Sequence, residues 1–141
     1  PGGGTLRQAI YYPYLAGCRY AKGQALHTSV TGASYETAHG EAPPLYTACA
    51  FDEARGALTL FVLNTTDQPV DTKLFLREFE GLTPAEHLIF DGGLDVRNTF
   101  ETPEAAVFRQ ADAAALPVAD GAVRLGAYSF HVLRWRQNKC K

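Results

Sequence analysis

The sequence of 141 residues has no methionine, a single tryptophan (Trp135) and only three cysteines, Cys18, Cys49 and Cys140. Three thiols at irregular spacing cannot form a disulfide framework, and no Cys-x-x-Cys or Cys/His spacing describes a zinc site. Read as unpaired thiols, they favour a reducing, cytoplasmic compartment. No apolar run approaches the roughly 20 residues that a membrane-spanning helix needs, which argues against a membrane partner. Neither charge is in surplus. Thirteen basic residues face fifteen acidic ones, for a formal net charge of −2, so there is no cationic excess for a phosphate backbone and nucleic acid is not expected as a partner. A chain that begins at Pro1 and holds no methionine reads as a piece of a longer protein, and the lack of a leader then says nothing about destination.

What is present is ordinary globular material. Hydrophobic residues make up 46% and charged residues 20%, the balance of a folded domain rather than of a disordered tail. A chain of this length can bury about two-thirds of its unfolded surface, enough for a core without metals or disulfides. Residues 1–4, Pro-Gly-Gly-Gly, exclude regular structure at the start. Thr5-Leu6-Arg7-Gln8 then has the hydroxyl-x-x-amide form of a capping box. Leu6, Ile10 and Tyr14 follow at four-residue spacing and predict a helix over 5–16 with one apolar face, kinked or ended by Pro13. The Ala-rich stretch Glu104–Leu116, between Pro103 and Pro117, reads as an irregular connection with about one helical turn.

The remainder reads as strands. Gln24–Val30 and Leu45–Phe51 are the first, the second running into a hairpin loop at Asp52–Gly56. Leu58–Leu63 is almost continuously apolar, as in a central strand buried on both faces. Thr66–Pro69 is a turn, and Val70–Arg77 alternates apolar and polar residues, so one of its faces is wet. Glu86–Phe90 is closed by Asp91-Gly92-Gly93. Asp120-Gly121 between Leu116–Val118 and Ala122–Leu125 has the form of a tight hairpin, and Tyr128–Arg136 ends the fold. Short strands with turn chemistry between them predict an all-β, antiparallel β-sandwich of jelly-roll type, preceded by one amphipathic helix. The domain boundary falls near Gly23, and the strands are expected to fold independently of the helix. The core is expected at Leu58, Leu60, Phe61, Val62, Leu74, Leu76, Val132 and Leu133.

No catalytic constellation emerges. The carboxylate pairs Asp52/Glu53, Asp91/Asp95 and Glu101/Glu104 fall in turns, where solvated carboxylates are the rule, whereas catalysis needs a perturbed, partly buried group. His27, His39, His87 and His131 do not cluster at metal-ligand spacing; His87 and His131 lie in strands and can each supply a hydrogen bond to a neighbour. Ser129 lacks the Gly-x-Ser-x-Gly context of a nucleophile. Phe61, Phe75, Phe79, Phe90, Phe130 and Trp135 fall within or beside apolar strands and read as core, and Asn64-Thr65-Thr66 matches the glycosylation sequon. No catalytic, metal-binding or cofactor-binding residue is assigned, and no cofactor is expected.

Three stretches together carry a resemblance. Arg7–Tyr14 with Arg19-Tyr20 and Gly23 resembles the final barrel helix of glycoside hydrolase family 51 α-L-arabinofuranosidases. Leu58-Thr59-Leu60-Phe61-Val62-Leu63-Asn64 resembles a strand of that family's C-terminal domain. Asn98-Thr99 with Pro103, Leu125–Ser129 and Val132-Leu133-Arg134 resembles its closing segment. The resemblance implies a retaining enzyme that couples a (β/α)8 barrel, bearing two catalytic Glu, to a C-terminal β-sandwich, and that removes terminal α-L-arabinofuranosyl residues from hemicellulose. A barrel alone needs about 250 residues, so residues 1–22 are expected to be the remnant of its last helix, 23–136 the sandwich and 137–141 an exposed tail. Leu6, Ile10 and Tyr14 then form the barrel-docking face, the chain's partner is its own barrel, and no Glu here inherits a catalytic role. Homo-oligomerisation of the parent is left open. The chain departs from the family at Leu6, where an aromatic residue is usual, and at Ala16-Gly17-Cys18, where His-Ala-Ser is common. The competing readings are an independent carbohydrate-binding module, which needs exposed aromatic rings, and a structural or oligomerisation module.

Overall fold

The computed structural model describes residues 3–76 and 78–137. Cys140 and the rest of the expected tail after Gln137, together with Arg77 and the first two residues, lie outside the described residues. Among the described residues the chain forms one helix, α1 (Tyr11–Tyr20), and ten strands: β1 (Gln24–Leu26), β2 (Tyr35–Thr37), β3 (Gly40–Ala42), β4 (Leu45–Asp52), β5 (Ala57–Asn64), β6 (Val70–Leu74), β7 (Leu82–Phe90), β8 (Arg109–Ala111), β9 (Gly121–Leu125) and β10 (Ser129–Gln137). Six strands make one antiparallel sheet in the order β1-β4-β5-β10-β7-β8. β6 and β9 pair as a second layer over it, and β2 and β3 form a separate hairpin. The expected all-β sandwich with one helix is the fold that forms.

β5 and β10 are the middle of the large sheet and pair over eight residues, from Ser129 opposite Asn64 to Arg136 opposite Ala57. Side chains alternate between faces along a strand. On the inner face Leu58, Leu60 and Val62 of β5 meet Leu133 and Trp135 of β10, covered by Leu74, Val123 and Leu125 of the second layer. Trp135 is fully buried, and its indole N–H donates to the carbonyl of Pro117 at 2.8 Å. On the outer face Phe61 and Val132 form a second cluster with Ala16 of the helix. β5 is thus buried on both sides up to Leu63, as its apolar run predicts; Leu63 itself is exposed. Of the expected core, all but the half-buried Leu76 are buried.

Several elements differ from expectation. The helix begins at Tyr11, not near Thr5. The carbonyl of Arg7 is captured at 2.7 Å by the side chain of Asn98, which holds the preceding segment in the open, and no side chain caps the helix. Pro13 neither kinks nor ends the helix. It sits in the first turn, where its missing N–H has no intrahelical partner to lose. The hairpin expected around Asp120-Gly121 does not form, because β9 pairs with the distant β6 instead. Leu116, before that turn, is buried in the core outside any strand. Residues Glu104–Leu116 hold a 3₁₀ turn at Ala113–Ala115, as expected, and also the short edge strand β8. The β2–β3 hairpin had no strong apolar alternation to announce it.

Nor is the helix separate from the strands. Gly23, at φ +82°, turns the chain straight from α1 into β1, and a Cβ there would stand 2.2 Å from the Phe51 carbonyl oxygen, so only glycine fits. Tyr12, Ala16 and Tyr20, at four-residue spacing, face the sheet. Tyr12 packs on Phe90 and Phe108, Ala16 on the Phe61–Val132 cluster. The guanidinium of Arg134 lies 4.0 Å from the centre of the Tyr20 ring and donates to Glu86 at 2.6 Å, while the Tyr20 hydroxyl donates to the same carboxylate at 3.3 Å.

Truncating Leu60 to Ala is expected to cost about 2 to 5 kcal/mol in urea melts, the usual range for a buried leucine; a loss under about half a kcal/mol would place Leu60 outside the core. Deleting residues 1–20 uncovers Phe61, Val132 and Phe108. The truncated chain is expected to lose about 2 to 5 kcal/mol, the worth of one or two buried aromatic side chains, and to associate more in sedimentation. Unchanged stability would show that the helix is a bystander.

Candidate functional site

Three places could carry function: the side of α1 turned away from the sheet, a chain of buried polar side chains at one end of the sandwich, and a cleft between its layers.

The first is where the sequence placed the docking face. Ile10 and Tyr14 are 79% and 75% exposed, against 2% for Ala16. Leu6 is half-buried and precedes the helix, so the three do not form one helical stripe. The inward stripe Tyr12–Ala16–Tyr20 was missed because the apolar count favoured the wrong side. The signal was there: a small residue flanked by tyrosines four positions away on each side lets a helix approach closely and lets their hydroxyls reach polar partners. Tyr46 of β4 and Leu63 of β5 sit opposite each other on the outer face and are both exposed.

The second place is built by alternation along β10. Ser129 and His131 share the inner face with Leu133 and Trp135, and both are buried. The Ser129 hydroxyl lies 2.5 Å from the Gly126 carbonyl and 2.8 Å from His131 Nε2. His131 Nδ1 lies 3.0 Å from Nε2 of the buried His87 on β7. A carbonyl only accepts, so the Ser129 O–H must point at Gly126. Ser129 Oγ then accepts from His131 Nε2–H, and His131 Nδ1 accepts from His87 Nε2–H, which fixes both tautomers. Burial lowers the pKa of His87, and that of His131 is brought down to about 4, by burial first and by His87 second. Both rings are therefore neutral hydrogen-bonding elements near neutral pH. Ser129 gives its proton to a carbonyl, which is a structural use and not that of a nucleophile.

Asn64 lies at the same end and is fully buried. Its Nδ2 donates to Gln68 and Gly126 carbonyls at 2.9 and 2.7 Å, and its Oδ1 accepts from Thr66 N–H and Oγ1–H at 3.0 and 2.8 Å. Every hydrogen-bonding position of this amide is occupied, so in the folded chain the sequon offers no acceptor nitrogen. Asn98 acts alike elsewhere. Its side chain bonds Ala106 N–H and C=O at 2.6 and 3.0 Å as well as Arg7, tying the loop after β7 to the N-terminal segment.

The third place is a cleft of about 1560 Å³ between the large sheet and β6, floored by Leu58, Leu60 and Val62. Thr28 and Thr47 on its wall bond each other at 2.8 Å, while Thr72 Oγ1 is buried with no partner. Cys49, also on the wall, has its thiol pushed up to about 11 by burial, so it stays protonated and is a poor nucleophile. The carboxylates named from the sequence are used in turns and surface pairs: Asp52 holds Arg55 at 2.8 Å and Asp91 holds Arg109 at 2.6 Å. His27 and His39 are exposed. Among the described residues no group of three or more His, Cys, Asp or Glu is placed to hold a metal. No helix among them is long and apolar enough to cross a membrane. Trp135, the one tryptophan a sugar-stacking platform could use, is fully buried.

The chain is thus an antiparallel β-sandwich whose polar groups lock its own turns and which carries one helix, bare on one side. The chain belongs to the alpha-L-arabinofuranosidase C-terminal domain family, whose sequence model matches residues 1–129. It is 32% identical over 143 residues to an intracellular exo-alpha-(1->5)-L-arabinofuranosidase of Streptomyces lividans, a match that spans 99% of this chain and 21% of that protein. It is 30% identical over 91 residues to intracellular exo-alpha-(1->5)-L-arabinofuranosidase 1 of Bacillus subtilis (strain 168), across 64% of this chain and 18% of that one. Its fold is shared with a family 51 alpha-L-arabinofuranosidase from Bifidobacterium longum, at a TM-score of 0.83 and 23% identity over 95% of this chain and 27% of that structure. The chain thus spans about a fifth of the length of these curated relatives.

The histidine pair makes stability depend on pH. Unfolded histidine takes up a proton near 6.5, whereas folded His131 resists until about 4. The unfolded state therefore binds more protons between these values, and stability is complete above 6.5 and lost as pH falls toward 4. Urea melts are expected to lose about 2 kcal/mol between about pH 7.5 and pH 5 from His131 alone. Identical midpoints at the two pH values would show that His131 titrates normally.

Proposed function

We propose that this chain is the non-catalytic C-terminal part of an intracellular α-L-arabinofuranosidase, and that it docks on a preceding (β/α)8 catalytic barrel through the bare side of its helix. The parent enzyme removes terminal α-L-arabinofuranosyl residues from hemicellulose with retention of configuration. The observation that carries this reading is a helix with two unlike sides. Tyr12, Ala16 and Tyr20 hold it on the sheet, while Tyr14, and Ile10 at the residue before its first turn, are left to water. Large apolar side chains grouped on a surface mark a site of contact. Family membership, and a length of about a fifth of the curated relatives, supply the contacting body: a barrel of about 250 residues. In this reading residues 1–22 join the two bodies and residues 23–136 form the sandwich. The two catalytic Glu, which a retaining glycosidase holds about 5 to 5.5 Å apart, belong to the barrel. Relatives named as intracellular enzymes support the same compartment for the parent.

Two measurements test this. The purified chain is expected to give no turnover of an aryl α-L-arabinofuranoside, and turnover that survives contaminant controls would refute the assignment of catalysis to the barrel. In the isolated chain, Ile10→Ser with Tyr14→Ser is expected to change stability by no more than about 0.5 kcal/mol, as surface substitutions do. In the parent enzyme the same pair is expected to lower the melting temperature by several degrees. An equal effect in both proteins would mean that these residues do not dock.

A further inference from the structure

We propose that the buried chain Gly126–Ser129–His131–His87 is an acid-operated latch on the turn between β9 and β10, which opens when the second of two protons reaches the imidazole pair. This goes beyond docking and does not depend on it.

The turn is held in a conformation it would not choose. Tyr128 is the one non-glycine among the described residues with a left-handed backbone, at φ +44°, a region unfavourable for a residue with a Cβ. Three ties keep it there. The Tyr128 N–H donates to the Thr66 carbonyl at 2.9 Å, and the Gly126 carbonyl accepts from both Asn64 Nδ2 and Ser129 Oγ, at 2.7 and 2.5 Å. Ser129 is in turn seated by His131, and His131 by His87.

The proton order follows from the tautomers. In the neutral pair each nitrogen between Ser129 and His87 already donates or accepts, and the lone pair left over is on His87 Nδ1. The first proton goes there, and His87 Nε2–H continues to donate to His131. The second must go to His131 Nδ1. Two N–H groups then face each other across 3.0 Å, and the contact becomes repulsive. His131 is wedged between His87 and Ser129, so relief on one side withdraws Nε2–H from Ser129 on the other. The charged groups that act on the pair are Asp91, just after β7, and Arg109 of β8. Arg109 disfavours protonation of both rings and Asp91 favours it at His131. They bond each other at 2.6 Å, so their opposing effects partly offset. Burial is the first cause that holds both rings toward the neutral form.

The test is amide hydrogen exchange of the 141-residue chain, expressed as protection relative to the intrinsic rate at each pH. Between about pH 7 and about pH 4.5 the Tyr128 amide is expected to lose at least about tenfold more protection than amides of β5, because a local opening precedes global unfolding. In His87→Leu, His131 can take its proton with no N–H opposite it and keep its bond to Ser129. Tyr128 protection is then expected to follow the β5 amides at every pH. Loss of Tyr128 and β5 protection in step in the unaltered chain would overturn the latch, as would an undiminished Tyr128-specific loss in His87→Leu. If that variant does not fold, nitrogen-15 shifts of the unaltered chain decide. Both rings are expected as Nε2–H tautomers at neutral pH with His87 titrating first, and an Nδ1–H tautomer at His131 would overturn the proposal.

Discussion

The structure depends on the eight-residue pairing of β5 with β10 at the middle of the large sheet. Because side chains alternate, this pairing fixes two cores at once. Leu58, Leu60 and Val62 with Leu133 and Trp135 make the interior between layers, and Phe61 with Val132 makes the seat for the helix. A slip of one residue would exchange the faces of every side chain on the strand. It would send Trp135 to the helix side, away from the Pro117 carbonyl, and bring Arg134 into the interior. Ser129 and His131 belong to the same set, so the polar chain is positioned by the register that builds the apolar core.

That dependence explains why the middle of the fold was legible in the sequence and its margins were not. An apolar run such as Leu58–Leu63 has one economical explanation, a strand covered on both sides, and the alternation in Val70–Leu74 likewise admits one face in water. The hairpin around Asp120-Gly121 failed because turn chemistry reports only that the chain bends. Which strand Ala122–Leu125 pairs with is decided by the layer that needs covering, and that layer offered β6. The helix start failed for a similar reason. Thr5 and Gln8 have local capping chemistry, but Asn98, some 91 residues distant from Arg7, competes for the same backbone, and no local rule registers such a partner.

The functional features divide in the same way. Ile10 and Tyr14 were found as apolar residues and are exposed, but the face that grips the sheet went unnoticed because Tyr12, Ala16 and Tyr20 include no aliphatic side chain to match Leu6 and Ile10. His87 and His131 were each expected to bond a neighbour, yet their pairing across β7 and β10 could not be read without the register of those strands. What sequence offered was the period-two spacing of Ser129, His131, Leu133 and Trp135, which places a titratable ring among core residues. Resemblance named the family, which composition and periodicity alone could not.

The amide of Asn64 has a consequence for how the protein can be made. In a secretory eukaryotic host, oligosaccharyl transfer acts on extended chain as it emerges, before β10 has arrived to pair with β5. A sugar attached then at Asn64-Thr65-Thr66 would replace one of the two Nδ2 hydrogens that donate to the Gln68 and Gly126 carbonyls, at a side chain that the fold buries completely. Modification and the packing of this side chain therefore compete, and a host without oligosaccharyl transfer avoids the competition.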